Sequence, residues 1–309
     1  MKIVNLGSMN LDHVYRVDQF LVAGETKASL SLHDNAGGKG LNQSVAIAQT
    51  GTEVFHAGFY GEGAELLLEA LEKRKVHTEL LEKKDIPNGH TVIQVDNNGQ
   101  NCILLYGGTN VCLTESYVDR VLDFCQPDDI LLLQNETNLI DYAITAAAAR
   151  GIPFAMNVAP MDARARTYPL DKLRYLVVNE IEGKGLAGGD TFEETMDNLV
   201  AKYPEAAIIM TLGSEGAWYR EGSREIRVGT VKNIPIVDTT AAGDTFLGYF
   251  LAGVLNRQDP AQALLRATYA SAITIQSPGA AESIPTAAQV DAVMASGKLG
   301  QVELIDRQR

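Results

Sequence analysis

The residues best suited to chemistry lie in one run, Asp238-Thr239-Thr240-Ala241-Ala242-Gly243-Asp244-Thr245-Phe246. Ala241, Ala242 and Gly243 are small enough for a ligand to come close to the backbone, and the apolar stretch Thr245–Leu255 that follows reads as a helix. Unpaired N–H groups at a helix N-terminus and the helix dipole both favour an anion such as phosphate. Asp244 falls in the first turn, beside that position. Two roles are open to it. As a helix cap it is worth roughly 1 kcal/mol of stability. As a base facing a substrate hydroxyl it can accept the proton when phosphate arrives, typically contributing about 10²–10⁴-fold in rate. Val231–Val237, just ahead of the run, reads as the strand that delivers it.

Three further groups could join it. Gly37-Gly38-Lys39-Gly40-Leu41-Asn42-Gln43 opens a helix predicted over Leu41–Thr50, with Gly51 as its C-terminal stop. The spacing is not that of a Walker-type phosphate loop. It is either a simple turn or a loop that offers Lys39 and Asn42 to hydroxyl groups. Thr211-Leu212-Gly213-Ser214-Glu215-Gly216, followed by Ala217–Arg220, reads as strand, glycine turn, strand. It is a plain hairpin or one wall of a nucleotide cleft. Asn179 and Glu182, three apart where a helix starts, either favour that helix start or hold the water shell of a metal near phosphates. The five histidines are isolated, and no G-x-S-x-G or H-E-x-x-H occurs. That argues against a histidine triad or a zinc site. Gly61-Glu62-Gly63 does not continue as a dinucleotide fingerprint, which argues against an oxidoreductase.

Such residues need a rigid frame. Short apolar runs at Ile3–Gly7, Glu53–Gly58, Ile130–Gln134, Phe154–Asn157, Tyr175–Val178 and Ala207–Thr211 alternate with helical patterns at Leu41–Thr50, Ala64–Lys73, Ile140–Ala149 and Thr191–Lys202. Strands apolar throughout, separated by helices, predict a doubly wound, mostly parallel sheet covered on both faces. Asn10 follows the first strand and Glu136 the third, while Asn157, Asn179 and Thr211 end theirs, so polar groups collect at the carboxyl edge where open sheets bind ligands. Residues 12–35 and 91–106 alternate polar and apolar instead, with a hairpin turn at Asn97-Asn98-Gly99. They predict a second, small sheet that serves as a lid or as surface decoration.

The 309 residues carry a net charge of −13 with the acids scattered, which argues against nucleic acid or a membrane surface as partner. No run reaches the length of a membrane span, and the N-terminus enters a strand pattern at once. The odd set Cys102, Cys112 and Cys125 reads as free structural thiols in a reducing, cytoplasmic setting.

Taken together, these motifs resemble the ribokinase (PfkB-type) family of carbohydrate kinases over essentially the whole chain. The order Gly7-Ser8-Met9-Asn10-Leu11-Asp12, Gly37–Gln43, Glu136, Asn179–Glu182, Thr211–Gly216 and Asp238–Asp244 carries the likeness. The resemblance implies one three-layer kinase domain over 1–309 with a small β-sheet lid. Its substrate would be a pentose phosphorylated at the primary hydroxyl, D-ribose first. Deoxyribose, fructose or a nucleoside such as pseudouridine are alternatives, and a non-catalytic sugar or nucleotide sensor is the reading from another class. The sugar would meet Asn10, Asp12, Gly38, Lys39, Asn42 and Glu136. Asp244 would be the base, and the amides around Ala241, Ala242 and Gly243 the anion hole. ATP would lie along Thr211, Gly213, Ser214 and Gly216, with Asn179 and Gly243 near its phosphates and Thr268 towards the adenine. Glu182 would organise Mg²⁺ through water. Asp238, Thr240, Thr274, Ser277, Gly279 and Ser283 would surround an activating K⁺, mostly through carbonyls. The lid implies a homodimer. Asn157-Val158-Ala159-Pro160 and the Gln-Asn-Glu-Thr-Asn setting of Glu136 depart from the family pattern at positions that touch substrate choice.

Overall fold

A computed structural model describes residues 1–309. Fourteen strands alternate with nine helices. The strands are β1 (Ile3–Leu6), β2 (Asn10–Arg16), β3 (Ser31–Gly37), β4 (Val54–Glu62), β5 (His77–Pro87), β6 (Gly89–Val95), β7 (Asn101–Tyr106), β8 (Ile130–Gln134), β9 (Phe154–Asn157), β10 (Tyr175–Asn179), β11 (Ala207–Thr211), β12 (Ala217–Glu221), β13 (Arg224–Val228) and β14 (Leu304–Gln308). The helices are α1 (Lys39–Gln49), α2 (Glu65–Lys73), α3 (Glu115–Phe124), α4 (Ile140–Ala149), α5 (Glu180–Ala187), α6 (Phe192–Lys202), α7 (Ala242–Leu255), α8 (Pro260–Thr274) and α9 (Ala287–Ser296).

Ten strands form one sheet in the order β14-β13-β12-β11-β10-β9-β8-β1-β4-β5, parallel from β11 to β5 and antiparallel from β11 to β14. The order reverses at β1, which lies between β4 and β8. Side chains alternate across each strand. Ile3, Ile130, Leu132 and Ala155 face the layer of α1, α2, α7, α8 and α9, while Val4, Leu131, Leu133, Phe154 and Met156 face that of α3, α4, α5 and α6. Apolar side chains on both faces are why these strands read as unbroken hydrophobic runs.

The second sheet, β3-β2-β6-β7, is built from the two polar-alternating segments. Gly99, at φ +77°, closes the β6–β7 hairpin, and residues 17–30 contain no strand. One expected element is absent. Val231–Val237 is not a strand: Asn233 is left-handed at φ +59°, Pro235 has no N–H, and the Val237 amide bonds to the Ile275 carbonyl after α8. β-branched side chains suggested pairing; here they line a cavity instead.

Candidate active site

Two helix N-termini meet at the carboxyl edge of the large sheet. α7 starts from Ala241, left-handed at φ +59°, and no side chain caps it. Asp244 therefore does not serve as a cap. Its carboxylate reaches across to α1, accepting from Asn42 Nδ2 at 3.1 Å on Oδ2 and from Gln43 Nε2 at 2.8 Å on Oδ1. The Ala242 amide, expected in the anion hole, instead donates to the Thr239 carbonyl at 3.2 Å, closing the tight turn that precedes the helix. The amides of Ala241, Gly243 and Asp244 have no acceptor within the protein. A Cβ on Gly243 would meet nothing within 4 Å, so this stretch of backbone faces open space.

The α1 terminus is held differently. Lys39 N donates to Glu136 Oε2 (2.9 Å), Gly40 N to Ser8 Oγ (3.2 Å) and Leu41 N to the Ser8 carbonyl (2.9 Å). Ser8 Oγ in turn donates to Glu136 Oε2 at 2.5 Å. Gly38, at φ +91°, makes this approach possible, since a Cβ there would lie 2.9 Å from the Asn10 amide. The side chains left over point to one place. Lys39 Nζ makes no ion pair, and although burial alone would lower its pKa, the carboxylates of Asp244, Glu136 and Glu182 raise it overall, so it stays an ammonium. Burial pushes Glu136 above the usual carboxyl range, with Asp244 adding to the rise and Lys39 and Ser8 opposing it. Asp12 is pushed up to about 6, chiefly by burial and partly by Glu136, against a 2.5 Å hydrogen bond donated by Thr91. Asn10 is buried, and Asn42 Oδ1 is a buried acceptor without a partner. Asn10, Asp12, Lys39, Asn42, Glu136 and Asp244 thus form a cluster of donors and acceptors suited to a polyhydroxylated ligand.

A cavity of about 490 Å³ lies on the far side of α7. Thr211, Gly213, Ser214, Gly216, Gly243 and Thr268, all expected at a nucleotide, line it together with Ala242. Sequence reasoning missed Lys232, Ile234 and Ile236, which line it, because 231–237 read as a strand, and Ile275 after α8, which carried no signal of its own. Asn179 lies outside that wall. It accepts from the Glu182 amide while Glu182 accepts from Asn179 N and Nδ2, which makes the pair a capping box for α5. Burial raises the Glu182 pKa, and Glu182 still acts electrostatically on Lys39.

Of the expected cation ligands, Asp238 gathers three contacts: Thr240 N and Oγ1 on Oδ1, and Gly279 N at 3.0 Å on Oδ2. Thr274 Oγ1 and Ser283 Oγ donate to the Ala270 and Ala280 carbonyls, and Ser277 N donates to the Thr274 carbonyl. Asn110 was not visible as a site residue. Its Nδ2 donates to Asn10 Oδ1 at 2.8 Å and its Oδ1 accepts from Met9 N, which fixes the turn that carries Asn10.

Residues 1–287 match the model of the pfkB family of carbohydrate kinases. The chain belongs to that family. It is 33% identical over 310 residues to a ribokinase of Schizosaccharomyces pombe, covering 94% of this chain and 97% of that protein. A Bacillus subtilis ribokinase is 32% identical over 294 residues, with 94% and 98% covered. The structure of Arabidopsis thaliana ribokinase complexed with ribose and ATP superposes with a TM-score of 0.84 at 27% identity, covering 95% of this chain and 98% of that one. The polar cluster and the cavity lie on either side of the α7 terminus.

Proposed function

We propose that this chain is a cytoplasmic ribokinase that transfers the terminal phosphoryl group of ATP to the primary hydroxyl of D-ribose. The observation that carries this is the state of the α7 terminus: an uncapped helix with the Asp244 carboxylate beside unpaired Gly243 and Asp244 amides. Asp244 accepts the hydroxyl proton, and the amides meet the charge on the transferring group. Such transfer asks the protein mainly for alignment and charge stabilisation. Lys39, a cation with no partner, adds positive charge between sugar and phosphate.

The ribose and ATP named for the Arabidopsis relative support the substrate pair here. The sugar would lie against Asn10, Asp12, Gly38, Lys39, Asn42 and Glu136, with the small sheet as its lid. A Mg²⁺ brought by the nucleotide would neutralise phosphate charge near Asn179 and Glu182. Both Glu182 oxygens already accept from Asn179, so this residue fits a role through water. K⁺ at the 238–240 and 274–283 loops is supported by the Asp238 contact to Gly279 that joins them. A homodimer through the lid is supported by the exposed row Ile103, Leu104 and Leu105 on the edge strand β7. Assaying D-ribose, 2-deoxyribose, fructose and nucleosides with ATP tests the substrate. D-ribose should show the highest kcat/KM, and faster turnover of a nucleoside would overturn the assignment.

A further inference from the structure

The strand alternation that builds the core also places three polar side chains where apolar ones are the rule. Asn5, Gln134 and Asn157 share the α1-facing side of β1, β8 and β9 with Ile3, Leu132 and Ala155, and all three are buried. They converge on Gln43, which is 0% exposed. Gln43 Nε2 donates to Asp244 Oδ1 (2.8 Å) and to Asn157 Oδ1 (3.3 Å), and Gln43 Oε1 accepts from Gln134 Nε2 (2.8 Å). Gln134 Nε2 also donates to Asn5 Oδ1 at 2.9 Å.

Only one orientation of these amides makes all of these contacts, and it leaves Gln134 Oε1 as a buried acceptor without a partner. Asn5 Nδ2 bonds the Gly40 carbonyl at 2.8 Å, and Asn157 Nδ2 bonds the Val177 carbonyl at 3.0 Å. A carbonyl oxygen can only accept, so both Nδ2 groups are donors and both Oδ1 atoms acceptors. Gln134 must then donate to Asn5, and Gln43 must donate to Asn157. Gln43 is thereby left with its N–H groups turned towards Asp244. The far end of the network is also fixed with respect to pH, because burial holds His56, which contacts Ser44 at 2.8 Å, down at about 4 and so neutral. Ser44 in turn accepts from Asn5.

We propose that Gln43, its amide oriented by Gln134, Asn5 and Asn157, is a positioning residue for the Asp244 carboxylate. It ties Oδ1 inward and leaves Oδ2, shared with the less buried Asn42, for the incoming hydroxyl. This rests on Asp244 being the base of the kinase reaction.

The test compares wild type with Gln43→Met, which keeps length and apolar packing but has no donor, and with Gln43→Glu, which keeps shape but sets a second carboxylate against Asp244. Each is assayed for kcat and sugar KM across pH, alongside thermal unfolding. Misplacing a reacting group by a fraction of an ångström is costly, so Gln43→Met should lose about tenfold or more in kcat with sugar KM within about twofold. The acid limb of the kcat profile should move to higher pH in both variants, further in Gln43→Glu, because a like charge disfavours ionisation of its neighbour. A purely structural glutamine would lower the unfolding temperature and leave that limb in place. An unmoved limb in either variant, with wild type turning over a sugar normally, overturns the positioning role alone. Wild type that phosphorylates no sugar overturns the kinase reading, and this inference with it.

Discussion

The α1 and α7 termini lie at the same sheet edge and share the same intrinsic feature, a set of N–H groups at the positive end of a dipole. They differ in what satisfies those groups. At α1, Glu136 and Ser8 take the amides of Lys39, Gly40 and Leu41, and Asn42 N bonds the Gly38 carbonyl. At α7, Gly243 and Asp244 N–H are left without an acceptor. A terminus completed within the protein becomes a rigid mount for side chains, here Lys39, Asn42 and Gln43. A terminus left incomplete keeps N–H groups free to meet an outside anion. The glycines show the same contrast: a Cβ on Gly40 would collide with the Ser8 backbone, whereas one on Gly243 would meet only open space.

The contrast is broken most severely at Asp244, the proposed base. Asp244→Asn should lower kcat by about 100-fold or more with little change in sugar KM. Steady-state kinetics with ribose varied check this, and near-normal kcat would remove Asp244 from the chemistry. The two glycines sharpen the comparison next. Gly243→Ala should lower kcat by about tenfold by crowding the phosphoryl group, with thermal unfolding unchanged. Gly40→Ala should instead destabilise the fold by about 2 kcal/mol, read by denaturant unfolding. If Gly243→Ala is the destabilised variant, the two termini have been assigned the wrong roles.

Acidification acts on the sugar side. Asp12, held near 6 against an ordinary 3.8, takes up a proton as pH falls through about 6 and loses an acceptor for sugar hydroxyls. Sugar KM should therefore rise from pH 7 to pH 5. The stability effect has the opposite sign. The folded state binds this proton more tightly than the unfolded chain does, so the destabilisation is fully present above about 6 and disappears as pH falls towards 3.8. Asp12→Asn should thus flatten the KM profile and raise the unfolding temperature of the sugar-free protein at pH 7. The smallest effect concerns the loop behind α7: replacing K⁺ by Na⁺ should lower kcat a few-fold with sugar KM unchanged, and equal rates in both salts would remove the cation from the proposal.

Much of this was legible in the residues. The unbroken apolar strands announced the covered parallel sheet, and the alternating segments announced the small one. Gly37–Gln43 and Asp238–Asp244 were visible because glycine and small residues before an apolar helix have few other uses. Other features were hidden for physical reasons. β5 and β14 carry exposed and charged side chains suited to sheet edges, so they lacked the apolar signal. Val231–Val237 carried that signal but lines the cavity. The role of Asp244 could not be decided by spacing, since a cap and a base occupy the same position in a first turn. Its contacts to Asn42 and Gln43 remove the cap reading and leave the base as the proposal. Asn5 and Gln134 left one readable trace: each is polar on the helix-facing side of a strand that is otherwise apolar there.

The most direct test of phosphoryl transfer at the α7 terminus is to incubate the protein with ATP and D-ribose and follow the phosphorus NMR spectrum. The predicted result is a phosphomonoester at the primary 5-hydroxyl, formed in step with ADP. Sugar-independent ADP release, or phosphate on the anomeric hydroxyl, would contradict it.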